Sequence, residues 1–145
     1  MKFLGQFLSA VAVVGLVAGA ASAQERKLIA PIRGEATLDM TKPVTKAVGN
    51  EVVTVIIIRN PATTGAIAGL KVEENWYDKA GNPVAGDSYR HAKPLKAGEI
   101  VTITLRTPKS ANMNSNKYQF THANGTIKAN VVPKIDIPPA TTPAK

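Results

Sequence analysis

The stretch Ala68 to Val84, "AGLKVEENWYDKAGNPV", holds the chain's single tryptophan beside a tyrosine and an aspartate, just ahead of a turn. In an extended chain Leu70, Val72 and Trp76 fall on one side and Lys71, Glu73, Asn75 and Tyr77 on the other, the two-residue period of a strand half facing water. Glu74 interrupts the apolar row, which predicts a bulge or a sheet rim near it. Asp78 to Pro83 is turn chemistry: an aspartate to satisfy free amides, Gly81 to accept a positive φ, and Pro83 to stiffen the exit. The stretch therefore reads as the anchor and corner of a β-hairpin rather than as a ligand site. Trp76 is expected to bury its ring in the core, with Tyr77 on the opposite face keeping its hydroxyl wet.

Working outward, strand signals continue in both directions. "EVVTVIIIR", Glu51 to Arg59, is a dense β-branched run, predicted as a central strand with both faces covered and ended by Asn60-Pro61. Ala85 to His91 is a short polar strand that suits a sheet edge, and Pro94 to Glu99 is a second turn. "IVTITLRT", Ile100 to Thr107, alternates with Val101, Ile103 and Leu105 inward. After a polar loop from Pro108 to Asn116, Tyr118 to His122 alternates again, and Thr126 to Val132 follows with Ile127, Ala129 and Val131 inward. Asn124-Gly125 between them is a strong two-residue hairpin signal and also a deamidation-prone pair. Gly34 to Met40 is a candidate first strand, while Pro43 and Thr45 to Gly49 look irregular. No amphipathic helix and no internal repeat is evident. About seven short strands at regular intervals predict an antiparallel β-sandwich.

The first 23 residues are read apart from that domain. Met1-Lys2 is a short positive start, Phe3 to Ala20 is almost wholly apolar, and Ala21-Ser22-Ala23 supplies the small-x-small pattern of a signal-peptidase site before Gln24. A retained membrane anchor is the alternative, because the apolar run approaches bilayer-spanning length. Cleavage after Ala23 predicts a periplasmic or secreted protein with no membrane span left. Residues 24–135 then form one β-sandwich domain, large enough to bury about two-thirds of its extended-chain surface. Residues 136–145 are a Pro/Thr-rich tail expected to be flexible.

Composition narrows the chemistry. Cysteine is absent, so packing and a hydrogen-bonded sheet must hold the fold, and thiol catalysis and thiolate metal sites are excluded. The chain carries 18 Lys plus Arg against 10 Asp plus Glu, and loss of Lys2 with the leader reduces its +8 to +7. Such a balance favours anionic surfaces, yet the cations are scattered, with Arg26-Lys27 the only adjacent pair. Outside the cytosol the fitting polyanions are phospholipid or lipopolysaccharide headgroups and acidic glycans; nucleic acid is not an expected partner.

Within residues 52–132 the chain resembles a known family. "NPATTGAIAGLKVEENWYDKAGNPV" followed by "PLKAGEIVTITL" is similar to the immunoglobulin-like domains of exported bacterial proteins grouped around a Phe-x-Leu-Tyr-Asp signature, the FxLYD-type family. Tyr77-Asp78, Gly81-Asn82, Leu95, Gly98 and Glu99 carry the resemblance. Glu74 stands where the signature has phenylalanine, and Trp76 where it has leucine. The resemblance implies an immunoglobulin-like sandwich of the adhesive or scaffold kind, in a bacterial exported protein, and brings no catalytic residues with it.

Constellations that would carry catalysis fail on geometry. Asp87-Ser88-Tyr89-Arg90-His91 contains the residue types of a hydrolase triad, but alternation puts Ser88 opposite Asp87 and His91. Glu73 and Glu74 likewise face apart and cannot share general acid and base work. His91 and His122 have no local spacing that joins them on zinc, and Ala80 denies Asp78 to Asn82 the alternating oxygens of a calcium loop. No catalytic, cofactor or metal site is therefore expected. The candidate surface contacts are Tyr77, Tyr89, Arg90 and His91, the last three on an exposed edge strand. The leading expectation is an exported, non-enzymatic interaction module that binds a protein partner through sheet edges or end loops. A basic envelope protein that binds anionic lipid, lipopolysaccharide or acidic polysaccharide is the alternative, and an enzyme assembled from distant loops comes third.

Overall fold

The computed structural model describes residues 29–138, and among them there are eight strands and no helix. In chain order these are β1 (Ala36–Thr41), β2 (Val44–Val48), β3 (Glu51–Arg59), β4 (Lys71–Tyr77), β5 (Pro83–Arg90), β6 (Ile100–Pro108), β7 (Ser115–His122) and β8 (Gly125–Val132). The leader assigned to residues 1–23 and the tail beyond residue 138 lie outside the described residues. No described helix is long and apolar enough to cross a membrane.

The strands form one curled sheet in the order β2-β3-β1-β8-β7-β4-β5, with β6 on the other edge of β3. Every pairing is antiparallel except β1 with β8, which run parallel from Ala36↔Ile127 to Thr41↔Val132. The sheet is thus mixed where pure antiparallel pairing was predicted, and it has eight strands rather than seven. Both differences arise at Lys42-Pro43. Pro43 lacks the N–H a ladder needs and ends β1, and the chain resumes as β2 along β3, from Val44↔Val55 to Val48↔Glu51. The irregular look of Thr45 to Gly49 in the sequence marked this break, not the absence of a strand.

β8 joins the two halves of the sheet. It pairs with β7 only at Thr121↔Thr126 and His122↔Gly125, then leaves it for β1. Ala129 and Val131, expected to point into the core, are exposed because β8 parts from β7 after Thr126; Val131 is 66% accessible. The hairpin also turns one residue earlier than Asn124-Gly125 suggested. Its ladder closes at His122↔Gly125, so Ala123 and Asn124 make the turn, and neither has a positive φ. Gly125 is required for space: a Cβ there would sit 2.0 Å from the carbonyl oxygen of Gly34.

Inside the curl, Leu38, Ile56, Ile58, Ile67, Leu70, Val72, Leu95, Ile103 and Leu105 form the core, each fully shielded from solvent. Burial along β3 alternates strictly, with Val52, Thr54, Ile56 and Ile58 inward and Glu51, Val53, Val55, Ile57 and Arg59 outward. One face of β3 is fully covered and the other only partly, where its β-branched run predicted cover on both. Asn60 fixes the loops at one end: its amide donates to the carbonyl oxygens of Gly65 and Leu95, and its Oδ1 accepts from the Ala62 N–H. At the opposite edge of the curl, Asp87 on β5 accepts the Arg106 N–H of β6 at 2.7 Å. A side chain thus spans the gap that backbone pairing leaves between those strands.

Candidate interaction surface

The interior has one polar band, and Glu74 is at its centre. Its inward parity on β4 and its complete burial place a carboxyl group among apolar side chains. A lone buried carboxyl group is costly unless its oxygens accept hydrogen bonds. Four donors meet it: Thr54 Oγ1 and Tyr118 Oη on Oε1 at 2.7 and 3.0 Å, Thr107 Oγ1 on Oε2 at 2.8 Å, and Asn116 Nδ2 more distantly at 3.4 Å. Thr45 Oγ1 lies 3.1 Å from Thr54 Oγ1 and extends the network to β2. Donors from β3, β6 and β7 therefore converge on one acid from β4, with no cation in the set. Burial raises the Tyr118 phenol above its usual value; the Thr45 and Thr54 hydroxyls oppose that rise, and the Glu74 charge and hydrogen bond add to it. The band tethers the two halves of the sheet and is closed to solvent at the acid.

Trp76 continues the same inward row but does not anchor the core. It is only part-buried, lies outside the core cluster, and keeps a buried Nε1–H without a partner. The reason is positional: Trp76 is next to the end of β4, where the β4–β5 register shifts between Trp76 and Tyr77. The irregularity that Glu74 led us to expect falls there. The core position is filled instead by Leu70 and Val72 with Ile56, Ile58, Ile103 and Leu105.

The two outward faces of the sheet differ in kind. Cross-strand partners point to the same side, so the registers define each face. On the β4 half the face is polar: Lys71, Glu73, Asn75 and Tyr77 stand beside Ser88 and Arg90 of β5 and Lys117, Gln119 and Thr121 of β7. On the β3 half, Val53, Val55 and Ile57 form a central stripe beside Val44 and Val48 of β2, which are 55% and 53% accessible. Thr102, Thr104 and Arg106 border that stripe on β6, and Lys46 borders it on β2. Glu51 ends the stripe with Arg106 at 3.1 Å, and Arg59 ends it at the other side with Asp39 at 2.6 Å. Lys42 and Lys46 are exposed, and no described acid is in ion-pair contact with them.

The residues singled out in the sequence do not form one patch. Tyr77 and Arg90 lie on the polar outward face, with Lys117 Nζ 5.4 Å from the Tyr77 ring centre. Tyr89 turns inward and packs against the core, and its hydroxyl meets His91 Nδ1 at 2.8 Å. Burial holds the Tyr89 phenol above its usual value, and the charge of Glu99 adds to that. Asp87 spends its carboxyl oxygens on the Ser88 and Arg106 N–H groups, while Ser88 is exposed on the other face, so no relay joins them to His91. His122 is buried, with Nε2 2.8 Å from the Gly34 carbonyl oxygen and Nδ1 accepting from the Asn124 N–H. Asp78 closes the β4–β5 turn on Asn82, whose backbone N–H holds the carboxyl below its usual range.

Three concavities open on the described surface. One, of about 440 Å³, lies between Asp78–Ala80 and Ala111–Asn114, a second, of about 410 Å³, is lined by Ile32, Glu35–Thr37, Pro61 and Ala62, and a third, of about 670 Å³, is lined by Ile29–Ile32, Thr63–Gly65, Lys96 and Ala97. None gathers a histidine with an acid. Among the described residues no group of three acids or histidines is placed to hold a metal ion.

The architecture so far defines an all-β protein built on a curled mixed sheet, with its polar chemistry sealed inside. No family model matches the chain, and no curated protein matches it. Among solved structures the chain is similar to IrmA from Escherichia coli, with a TM-score of 0.46 and 10% identity over 70% of this chain and 98% of that one.

Proposed function

We propose that this protein is an exported, non-enzymatic interaction module, an immunoglobulin-like sandwich made from the two halves of the curled sheet, which binds a protein partner in the cell envelope or outside the cell. The single observation that carries the reading is the contrast between the outward faces. A sheet face meant for water carries polar residues throughout, as the β4 half does. The β3 half instead presents exposed Val44 and Val48 beside the partly exposed row of Val53, Val55 and Ile57, and contiguous aliphatic surface of that kind is the mark of an interaction site. The outer edge of β2 next to it pairs with no described strand, which leaves backbone groups for a partner to extend. The FxLYD-type resemblance supports the same assignment, and the leader pattern supports export.

Pull-down from an envelope extract tests the reading. The wild-type chain recovers a saturable protein partner, Val55→Lys loses it, and Glu73→Lys on the polar face keeps it. Equal recovery by all three proteins would remove the face from consideration. A second reading, binding to anionic lipid, lipopolysaccharide or acidic polysaccharide, is favoured by one observation, the exposed Lys42 and Lys46 at the rim of the aliphatic stripe, which no described acid contacts. Co-sedimentation with anionic liposomes that vanishes between low and physiological salt supports it; binding that ignores salt counts against it.

A further inference from the structure

The outward row of β3 is antisymmetric in charge. From one end to the other it runs Glu51, Val53, Val55, Ile57, Arg59: an acid, three aliphatic residues, and a base. We propose that the partner this face takes is a second copy of the same chain, stacked face to face with the β3 strands antiparallel about a two-fold axis at Val55. The proposal rests on the reading of that face as a contact surface.

A two-fold operation of this kind lays Val55 over Val55, Val53 over Ile57, and Glu51 of each copy over Arg59 of the other. Apolar residues meet apolar residues, and each charge meets its opposite, Glu51 and Arg59 keeping their in-chain partners Arg106 and Asp39 and adding a second neighbour across the axis. The alternative two-fold, with strands parallel, puts Glu51 over Glu51 and Arg59 over Arg59, and brings Lys46 over Arg106, because both are level with Val53. Like charges at close range select the antiparallel arrangement. The polar face of the β4 half has no such pattern: its row of Lys71, Glu73, Asn75 and Tyr77 has no aliphatic centre.

Size sets the strength of the contact. Nine residues of β3 at roughly 3.3 Å each span about 30 Å, and β6, β3 and the edge shared by β2 and β1 are roughly 14 Å wide at the usual strand spacing, with β8 adding a fourth strand only beside the Arg59 end. The resulting footprint of roughly 450 Å² per copy is smaller than that of stable specific interfaces, and points to a weak, reversible dimer with a dissociation constant on the order of 100 micromolar. Sheets stacked face to face lie about 10 Å apart, which suits side chains of valine and isoleucine size. Isologous two-fold contacts, in which one self-complementary patch meets itself, are the common form of self-association.

Sedimentation equilibrium, on protein expressed as the full chain and purified as the host processes it, tests the proposal from low micromolar to near-millimolar concentration. The wild type shifts from monomer to dimer across that range. Val55→Lys, which places two ammonium groups on the axis at a position already facing water, weakens dimerisation by roughly 30-fold or more, as loss of a central contact does. Because the chain has no cysteine, Val55→Cys with a short bis-maleimide linker reports the axis directly: covalent dimer forms at this site and not with Gln119→Cys on the polar face. Circular dichroism matching the wild type shows that each variant has folded. A wild type that stays monomeric throughout, or a dimer indifferent to Val55→Lys, overturns the proposal. If that monomer still loses an envelope partner or anionic vesicles through Val55→Lys, the second copy is refuted while the contact face stands. If Val55→Lys changes neither self-association nor partner capture, both readings fall.

Discussion

Replacing Glu74 with alanine tests the polar band that ties the two halves of the sheet together. The carboxyl group is the acceptor for four donors, and the cost follows from what each donor keeps. Thr54 retains Thr45, and Asn116 retains the Tyr118 hydroxyl oxygen at 2.8 Å. Thr107 and the Tyr118 hydroxyl proton lose the acceptor shown for them. One buried donor, Thr107, and one part-buried donor, Tyr118, without partners, at about 1–3 kcal/mol each with Tyr118 at the low end, plus a small loss of packing, give a destabilisation of about 3 kcal/mol. Glu74→Gln retains the volume and one acceptor oxygen, and its amide protons are accepted by hydroxyls that can rotate, so it should cost about 1–2 kcal/mol. These are large fractions of the 5–15 kcal/mol typical of a whole domain. Urea unfolding at neutral pH measures both, with an unchanged slope required for the comparison. An alanine variant within about 1 kcal/mol of the wild type would show that the hydroxyl set does not hold the halves together. A glutamine variant as unstable as alanine would place the effect in the charge rather than in the acceptor geometry.

The β7–β8 turn provides a steric test. Gly125→Ala would press its Cβ to 2.0 Å from the Gly34 carbonyl oxygen and should cost more than about 3 kcal/mol, whereas Gly81→Ala, with nothing within 4 Å, should lose only about 1 kcal/mol to its positive φ; equal thermal midpoints for the two would contradict the packing. High pH probes the phenols. Tyr89 and Tyr118 are held above the ordinary tyrosine value of 10.0 chiefly by burial, so the stability they contribute is complete below the unfolded value and is lost as pH rises through the folded ones. Phenolate absorbance followed together with circular dichroism should show their ionisation arriving late and accompanied by unfolding. Titration of every tyrosine at the free value in an intact fold would be incompatible with that burial.

The sequence was most informative where chemistry is local. Turn residues at Asp78–Pro83 and Pro94–Glu99, and the alternation of Leu70, Val72, Ile103 and Leu105, are printed in the chain because each depends on neighbours one to five residues away. The Glu74 cage was half legible. Thr54 in β3 and Glu74 in β4 each stand out as a polar residue in an inward row, but nothing in either strand says that they face each other. The outward stripe was misread for a related reason. A run such as Val52 to Ile58 looks the same whether one face is covered or two, since β-branched residues fit a strand in either setting.

Local spacing by itself determined that this chain is all-β, without thiol chemistry, and folded around alternating aliphatic rows, because a side chain's face along a strand is set by parity alone. Only the tertiary structure decided which rows meet. It placed β1 parallel to β8, closed four donors over Glu74, moved Trp76 to the rim of its strand, and left the acid-to-base row of β3 facing outward. Except for the Trp76 rim, which follows from the local β4–β5 register shift, those outcomes depend on contacts between residues tens of positions apart, whose free energy no short stretch of the chain carries.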